Sequence, residues 1–148
     1  MDASDLRVRN HVYRRFVELG RAPSAEEVAG ELGLSRVEAE ASFRRLHNAH
    51  ALVLEPDPAM AIRMLNPFSC VPTPHRVEAG GRSWFANCAW DAFGITAALG
   101  LDGRVSSACP DCGEPIELDL EDSRSDPGDL PVHFQVPASR WWDDIVFT

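Results

Sequence analysis

Gly80-Gly81-Arg82-Ser83-Trp84-Phe85-Ala86-Asn87-Cys88-Ala89-Trp90-Asp91-Ala92-Phe93-Gly94 packs a tight-turn dipeptide, a strand-like run and the start of a helix into one stretch. Gly80-Gly81 is the pair expected in a short hairpin loop, so 75–79 and 82–85 read as its two strands. The second strand delivers the chain directly into a helix that starts near Cys88. On a helix, positions i and i+3 share a face, so Cys88 and Asp91 point at one small volume.

The chemistry of that pair follows from its surroundings. Unpaired N–H groups at a helix start favour thiolate over thiol, which makes Cys88 a candidate nucleophile or soft-metal ligand. Trp84, Trp90 and Phe93 surround Asp91 in sequence, and desolvation by such neighbours favours its protonated form. A thiolate beside a proton-donating carboxyl suits capture of a soft electrophile followed by protonation of its partner atom. A buried Cys next to a helix-turn Asp is also an ordinary feature of protein cores, so spacing alone leaves both readings open.

Upstream of this stretch the chain reads as three helices and a hairpin. Apolar residues from Leu6 to Leu19 recur near a helical period, and Gly20 ends the run. Ser24-Ala25-Glu26-Glu27 and Ser35-Arg36-Val37-Glu38 are capping boxes that open helices over 25–32 and 36–48. Short strands at 52–54 and 61–64 flank a Pro-rich turn and complete the order of a winged helix-turn-helix. The prolines of 66–74 keep that connector extended. Its Cys70 is either near Cys88 or small core filling.

Downstream, 104–108 and 116–120 read as strands joined by Cys109-Pro110-Asp111-Cys112-Gly113. This is half of a zinc knuckle, and a closed zinc site needs two more ligands than Cys109 and Cys112 provide. The alternative is a reduced pair that stabilises the turn. Residues 121–129 read as an acidic, solvated loop. The alternation of Val132, Phe134 and Val136 predicts a half-buried strand over 131–137, and Trp141 and Trp142 cap the core or close a pocket.

The blocks 85–95, 97–100 and 103–107 resemble the alkylmercury (organomercurial) lyase family. The resemblance runs from about Pro67 to the end of the chain, with a weaker match before it. It implies an α+β fold in which a winged-helix-like module, 1–65, packs on a small mixed α/β domain, 66–148, that carries the site. It also implies that Cys88 binds mercury and that Asp91 delivers the proton that cleaves the carbon–mercury bond of a small organomercurial. Family lyases share the metal with a second thiol, whereas 141–148 contain Asp143 and Asp144 and no Cys. Carboxylates are poor substitutes on a soft metal, so external thiols are expected as co-reactants. No tightly bound organic cofactor is expected. A thiol-based metal-binding or sensing relative, or an enzyme of this fold acting on another substrate, are the alternatives.

Charge weighs against a third reading, a DNA-binding regulator. Residues 1–56 hold eight Arg against nine acids, and the remainder holds six against fourteen. Phosphate contacts need excess positive charge, so nucleic acid is not the expected partner. No apolar run approaches the roughly 20 residues that span a bilayer. The start of the chain lacks a secretory pattern, which makes a cytoplasmic location the expectation.

Overall fold

The computed structural model describes residues 1–56, 60–122, 124, 126 and 130–146; the acidic stretch 121–129 lies partly outside them. The fold is α+β. Helices α1 (Ala3–Leu19), α2 (Ala25–Leu32) and α3 (Arg36–Asn48) come first. They are followed by strands β1 (Val53–Leu54), β2 (Ile62–Leu65), β3 (Phe68–Ser69), β4 (Arg76–Ala79) and β5 (Arg82–Ala86). Helix α4 (Ala89–Leu99), strands β6 (Gly103–Ala108) and β7 (Pro115–Leu120), and a 3-10 turn at Ala138–Asp143 complete the order.

The early helices form where local chemistry places them. Ser24 and Ser35 each accept the N–H three residues on, while Glu27 and Glu38 reach back to the cap N–H, so both capping boxes are closed. Gly20 ends α1 in the left-handed region with φ 70° and returns its N–H to the Phe16 carbonyl. The apolar faces of these helices, through Val8, Val12, Phe16, Val28, Phe43 and Leu46, join one core with Phe68, Val77, Trp84 and Ile95 from the later elements.

Among the described residues the strands form one antiparallel sheet in the order β1-β2-β3-β5-β4-β6-β7. The hairpin at Gly80-Gly81 is present, and both glycines take positive φ, 56° and 74°, as its loop requires. Within the extended connector, Phe68 and Ser69 pair with Ala86 and Phe85, a long-range contact that local sequence does not announce. Arg82 donates to the Val17 carbonyl at 2.8 Å, which ties the hairpin to the end of α1.

Residues 131–137 differ from the expected strand. Among the described residues they pair with no strand, and Val132 and Phe134 each remain 40% exposed. The segment folds on itself instead: Trp141 Nε1 donates to the Val136 carbonyl at 2.9 Å, and the Phe134 and Trp141 rings meet at 5.2 Å. Alternation signals a strand only where an edge is available to pair, and Pro131 and Pro137 each lack an N–H to offer one. Trp142 stacks on His50 at 3.8 Å, which lays this tail against the turn that follows α3.

The β4–β6 contact is tight at Gly103, where an added Cβ would lie 2.6 Å from the Glu78 carbonyl oxygen and 3.0 Å from Thr96 Cγ2. Backbone cannot yield as a flexible side chain does. Gly103→Ala is therefore expected to lower stability by about 2 kcal/mol through overpacking. A urea titration reads the effect as a lower midpoint at unchanged slope; an unchanged midpoint would show that β4 and β6 can part at no cost.

Candidate active site

Cys88 is the N-cap of α4. Its backbone is extended, φ −148° and ψ 176°, and its Sγ accepts the Asp91 N–H at 3.4 Å, in the place usually taken by a Ser, Thr, Asp or Asn oxygen. That bond fixes the sulfur over the first turn. The Asp91 carboxyl is also close enough to the same sulfur for each group to influence the other's ionisation. The i, i+3 spacing thus brings thiol and carboxyl into contact.

Protonation of the pair is set first by burial. Desolvation pushes the Cys88 thiol up, the Asp91 carboxylate adds to this, and the N–H groups of Asp91 and Trp90 only partly offset it. The thiolate expected from the helix start is therefore overridden, and the thiol is favoured. Asp91 is also raised by burial, with hydrogen bonds from Asn87 and Cys88 pulling it back. The shift is upward, the direction that desolvation predicts, but Trp90 supplies little of the shelter, being 61% exposed. Trp84 is buried, and Phe93 packs against the core.

Asn87 is the residue that sequence reasoning missed. Its Nδ2 lies 3.1 Å from Asp91 Oδ2, 3.0 Å from Asn66 Oδ1 and 3.3 Å from the Pro67 carbonyl. It anchors the acid to the connector. The Asn66-Pro67 peptide is cis, and Pro67 sits against α4 where a Cβ on Gly94 would meet it at 3.3 Å. Tyr13, from α1, donates to the Asn66 carbonyl at 3.0 Å. The amide next to Cys88 was a visible signal, but its partners Asn66 and Pro67 lie 20 or more residues away in sequence.

The other three cysteines stand on other segments of the chain. Cys70 lines a cleft of about 410 Å³ with Arg21, Arg36, Glu40, Met60 and Ile62, a cleft that includes neither Cys88 nor Asp91. Its thiol is pushed up to about 12 by burial, and the Glu55 carboxylate contributes. Such a thiol is a poor nucleophile near neutral pH. Cys109 and Cys112 lie at the β6–β7 turn, where backbone N–H groups of Cys112 and Asp111 favour the Cys109 thiolate. Among the described residues no cluster of three or more His, Cys, Asp or Glu could hold a metal ion, so no further protein ligand joins the pair for zinc. Asp143 is exposed and paired with Arg140 at 3.0 Å.

The sequence profile of the alkylmercury lyases, MerB, matches residues 68–148, more than half of the chain, a span that includes Asn87, Cys88 and Asp91. The chain belongs to the alkylmercury lyase family. It is 37% identical over 54 residues to an alkylmercury lyase of Staphylococcus epidermidis, a stretch covering 36% of this chain and 25% of that protein. An alkylmercury lyase of Bacillus cereus matches at 37% over 51 residues, 34% of this chain and 23% of that protein. The match thus spans about a quarter of these relatives' length. The crystal structure of the mercury-bound form of MerB2 superposes with a TM-score of 0.68 at 22% identity, covering 84% of this chain and 59% of that one. This likeness establishes a shared fold, while family membership rests on the profile. Among the described residues no helix is long and apolar enough to cross a membrane.

Proposed function

We propose that this family member is an organomercurial lyase in which Cys88 captures the metal and Asp91 moves the proton. The observation that carries the reading is the Cys88–Asp91 contact, tied by the Asp91 N–H on Cys88 Sγ, in which burial raises the proton affinity of both groups. Asp91 first accepts the Cys88 proton as sulfur displaces an anion X⁻ from R–Hg–X. The Cys88–S–Hg–R adduct then receives that proton on carbon as the carbon–mercury bond breaks. The products are R–H and Cys88–S–Hg–X, and the carboxylate is regenerated for the next cycle. Two external thiols then restore the Cys88 thiol, with release of HX and the mercuric dithiolate. No organic cofactor enters this balance.

Asn87 supports the reading because it holds one carboxyl oxygen while the thiol engages the acid. A DNA-reading role is less well supported. On α3, Arg36 pairs with Glu40 at 2.7 Å and Arg45 with Asp5 at 2.7 Å, so two of the cations a recognition helix would offer are already engaged.

A single-turnover assay with phenylmercuric acetate and excess monothiol tests the proposal. Benzene is expected at one equivalent per chain. Stoichiometric retention of phenylmercury without benzene would replace the lyase reading with that of a binding relative.

A further inference from the structure

The mechanism above leaves one pair of thiols unused. Strands β6 and β7 end in the turn 109–114, closed by Cys109 N–H on the Glu114 carbonyl and Gly113 N–H on the Cys109 carbonyl, both at 2.9 Å. Gly113 takes φ 75° and turns the chain so that Cys109 and Cys112 share one tight turn, with the Cys112 backbone and side chain near enough to favour the Cys109 thiolate. The N–H groups of Asp111 and Cys112 also point at the Cys109 sulfur. Cys112 is exposed and Cys109 half-buried, so the pair is open to solvent.

Register places this turn beside Cys88. Arg76 pairs with Phe85 on one side and with Ser106 on the other, so Phe85 and Ser106 stand at one level across β4. Cys88 follows three residues beyond Phe85, and Cys109 three residues beyond Ser106, at the same end of the sheet. Only the β4 strand separates them, which puts the two strand ends about 10 Å apart. His75, just before β4, meets Ser107 Oγ at 2.8 Å.

We propose that Cys109 and Cys112 form a second, two-thiolate site for a soft cation that accepts linear coordination, of the mercuric class. Two sulfurs brought together by a four-residue turn suit an ion that is satisfied by two thiolates. Zinc prefers four ligands and finds none beyond these two among the described residues. Binding is ligand exchange: two S–Hg bonds form as the ion's two incoming ligands, chloride or external thiolate, leave to solvent, and each thiol bound as its neutral form releases its proton to solvent. The affinity rests on the turn alone. The pair's further role, as the next holder of the ion leaving Cys88, rests on the lyase reading.

The test uses mercuric chloride, so its result does not depend on carbon–mercury cleavage. Full-length chain carrying Cys70→Ser and Cys88→Ser is reduced, titrated, and desalted against a competing monothiol. It should retain one mercury per chain, and adding Cys109→Ser and Cys112→Ser should leave none. Either of these last two changes alone should weaken retention about a hundredfold, the loss of a chelate arm. In the unaltered chain, mercury should shield Cys109 and Cys112 together from alkylation, read by peptide mass spectrometry without any substitution. Retention by the chain lacking all four thiols, no retention by the chain with this pair alone, or alkylation of both thiols in the presence of mercury would each overturn the site.

Discussion

Cys88→Ser is expected to abolish both capture of phenylmercury and release of benzene, whereas Asp91→Asn keeps capture and loses release by about a thousandfold. The two substitutions separate the steps because the groups act on different atoms. A serine oxygen is a hard donor and does not hold mercury against a competing thiol. Asparagine keeps the size of the acid and an oxygen for Asn87 Nδ2, but has no proton to accept or deliver. Capture by Asp91→Asn is therefore slowed, since the Cys88 thiol must lose its proton to solvent, but the adduct still accumulates. Benzene release at the parental rate from Asp91→Asn would remove the acid from the mechanism.

The same substitution has a signature in stability. Burial raises Asp91 above its ordinary value of 3.8, so the folded chain favours the protonated acid more than the unfolded chain does. That preference stabilises the fold fully below the unfolded value and is lost as pH rises through the folded one. Asp91→Asn remains neutral throughout. It should melt higher than the parent near pH 7, with the gap closing in acid. The helix N-terminus favours an anion in the first turn and opposes this gain, so a lower melting temperature for Asp91→Asn would show that dipole and hydrogen bonds outweigh desolvation.

What could be read from sequence was what is local in the chain. The Ser24 and Ser35 capping boxes, the Gly20 stop and the Gly80-Gly81 hairpin each depend on residues within a few positions of one another, and each is present. The Cys88–Asp91 contact was legible for the same reason. The protonation state of Cys88 was not, because helix-start N–H groups are visible in sequence while burial by residues far away is not. Asn87 escaped notice since its meaning lies in Asn66 and Pro67, and Tyr13 since it reaches Asn66 across 53 positions. The segment 131–137 shows the converse error. Its alternation was real, but Trp141 closed the segment on itself where a pairing edge was needed.

Asp5 is the other group whose role is set by distant partners, and its removal should give the largest loss of stability. In sequence it is an unremarked acid near the start of α1. In the fold it is 1% exposed, accepts from Ser42 Oγ at 2.7 Å, and receives a forked contact from Arg45 Nε and Nη2 at 2.7 to 3.1 Å. Asp5→Ala leaves the buried Ser42 hydroxyl without that acceptor and breaks the α1–α3 link, while half-exposed Arg45 can turn to water. The cost is expected near 3 kcal/mol, below the upper end for a fully buried pair because Arg45 keeps solvent access. The dependence on pH runs opposite to that of Asp91. The Arg45 hydrogen bonds, aided by Ser42 and opposed by burial, hold the Asp5 carboxyl below its ordinary 3.8. Its charge-dependent stabilisation is thus present above that value and is lost as pH falls through the folded one. Urea midpoints for the parent and Asp5→Ala should differ most near neutrality and approach each other in acid. A gap that stays constant with pH would mean that Asp5 contributes packing and neutral hydrogen bonds, with no net contribution from its charge.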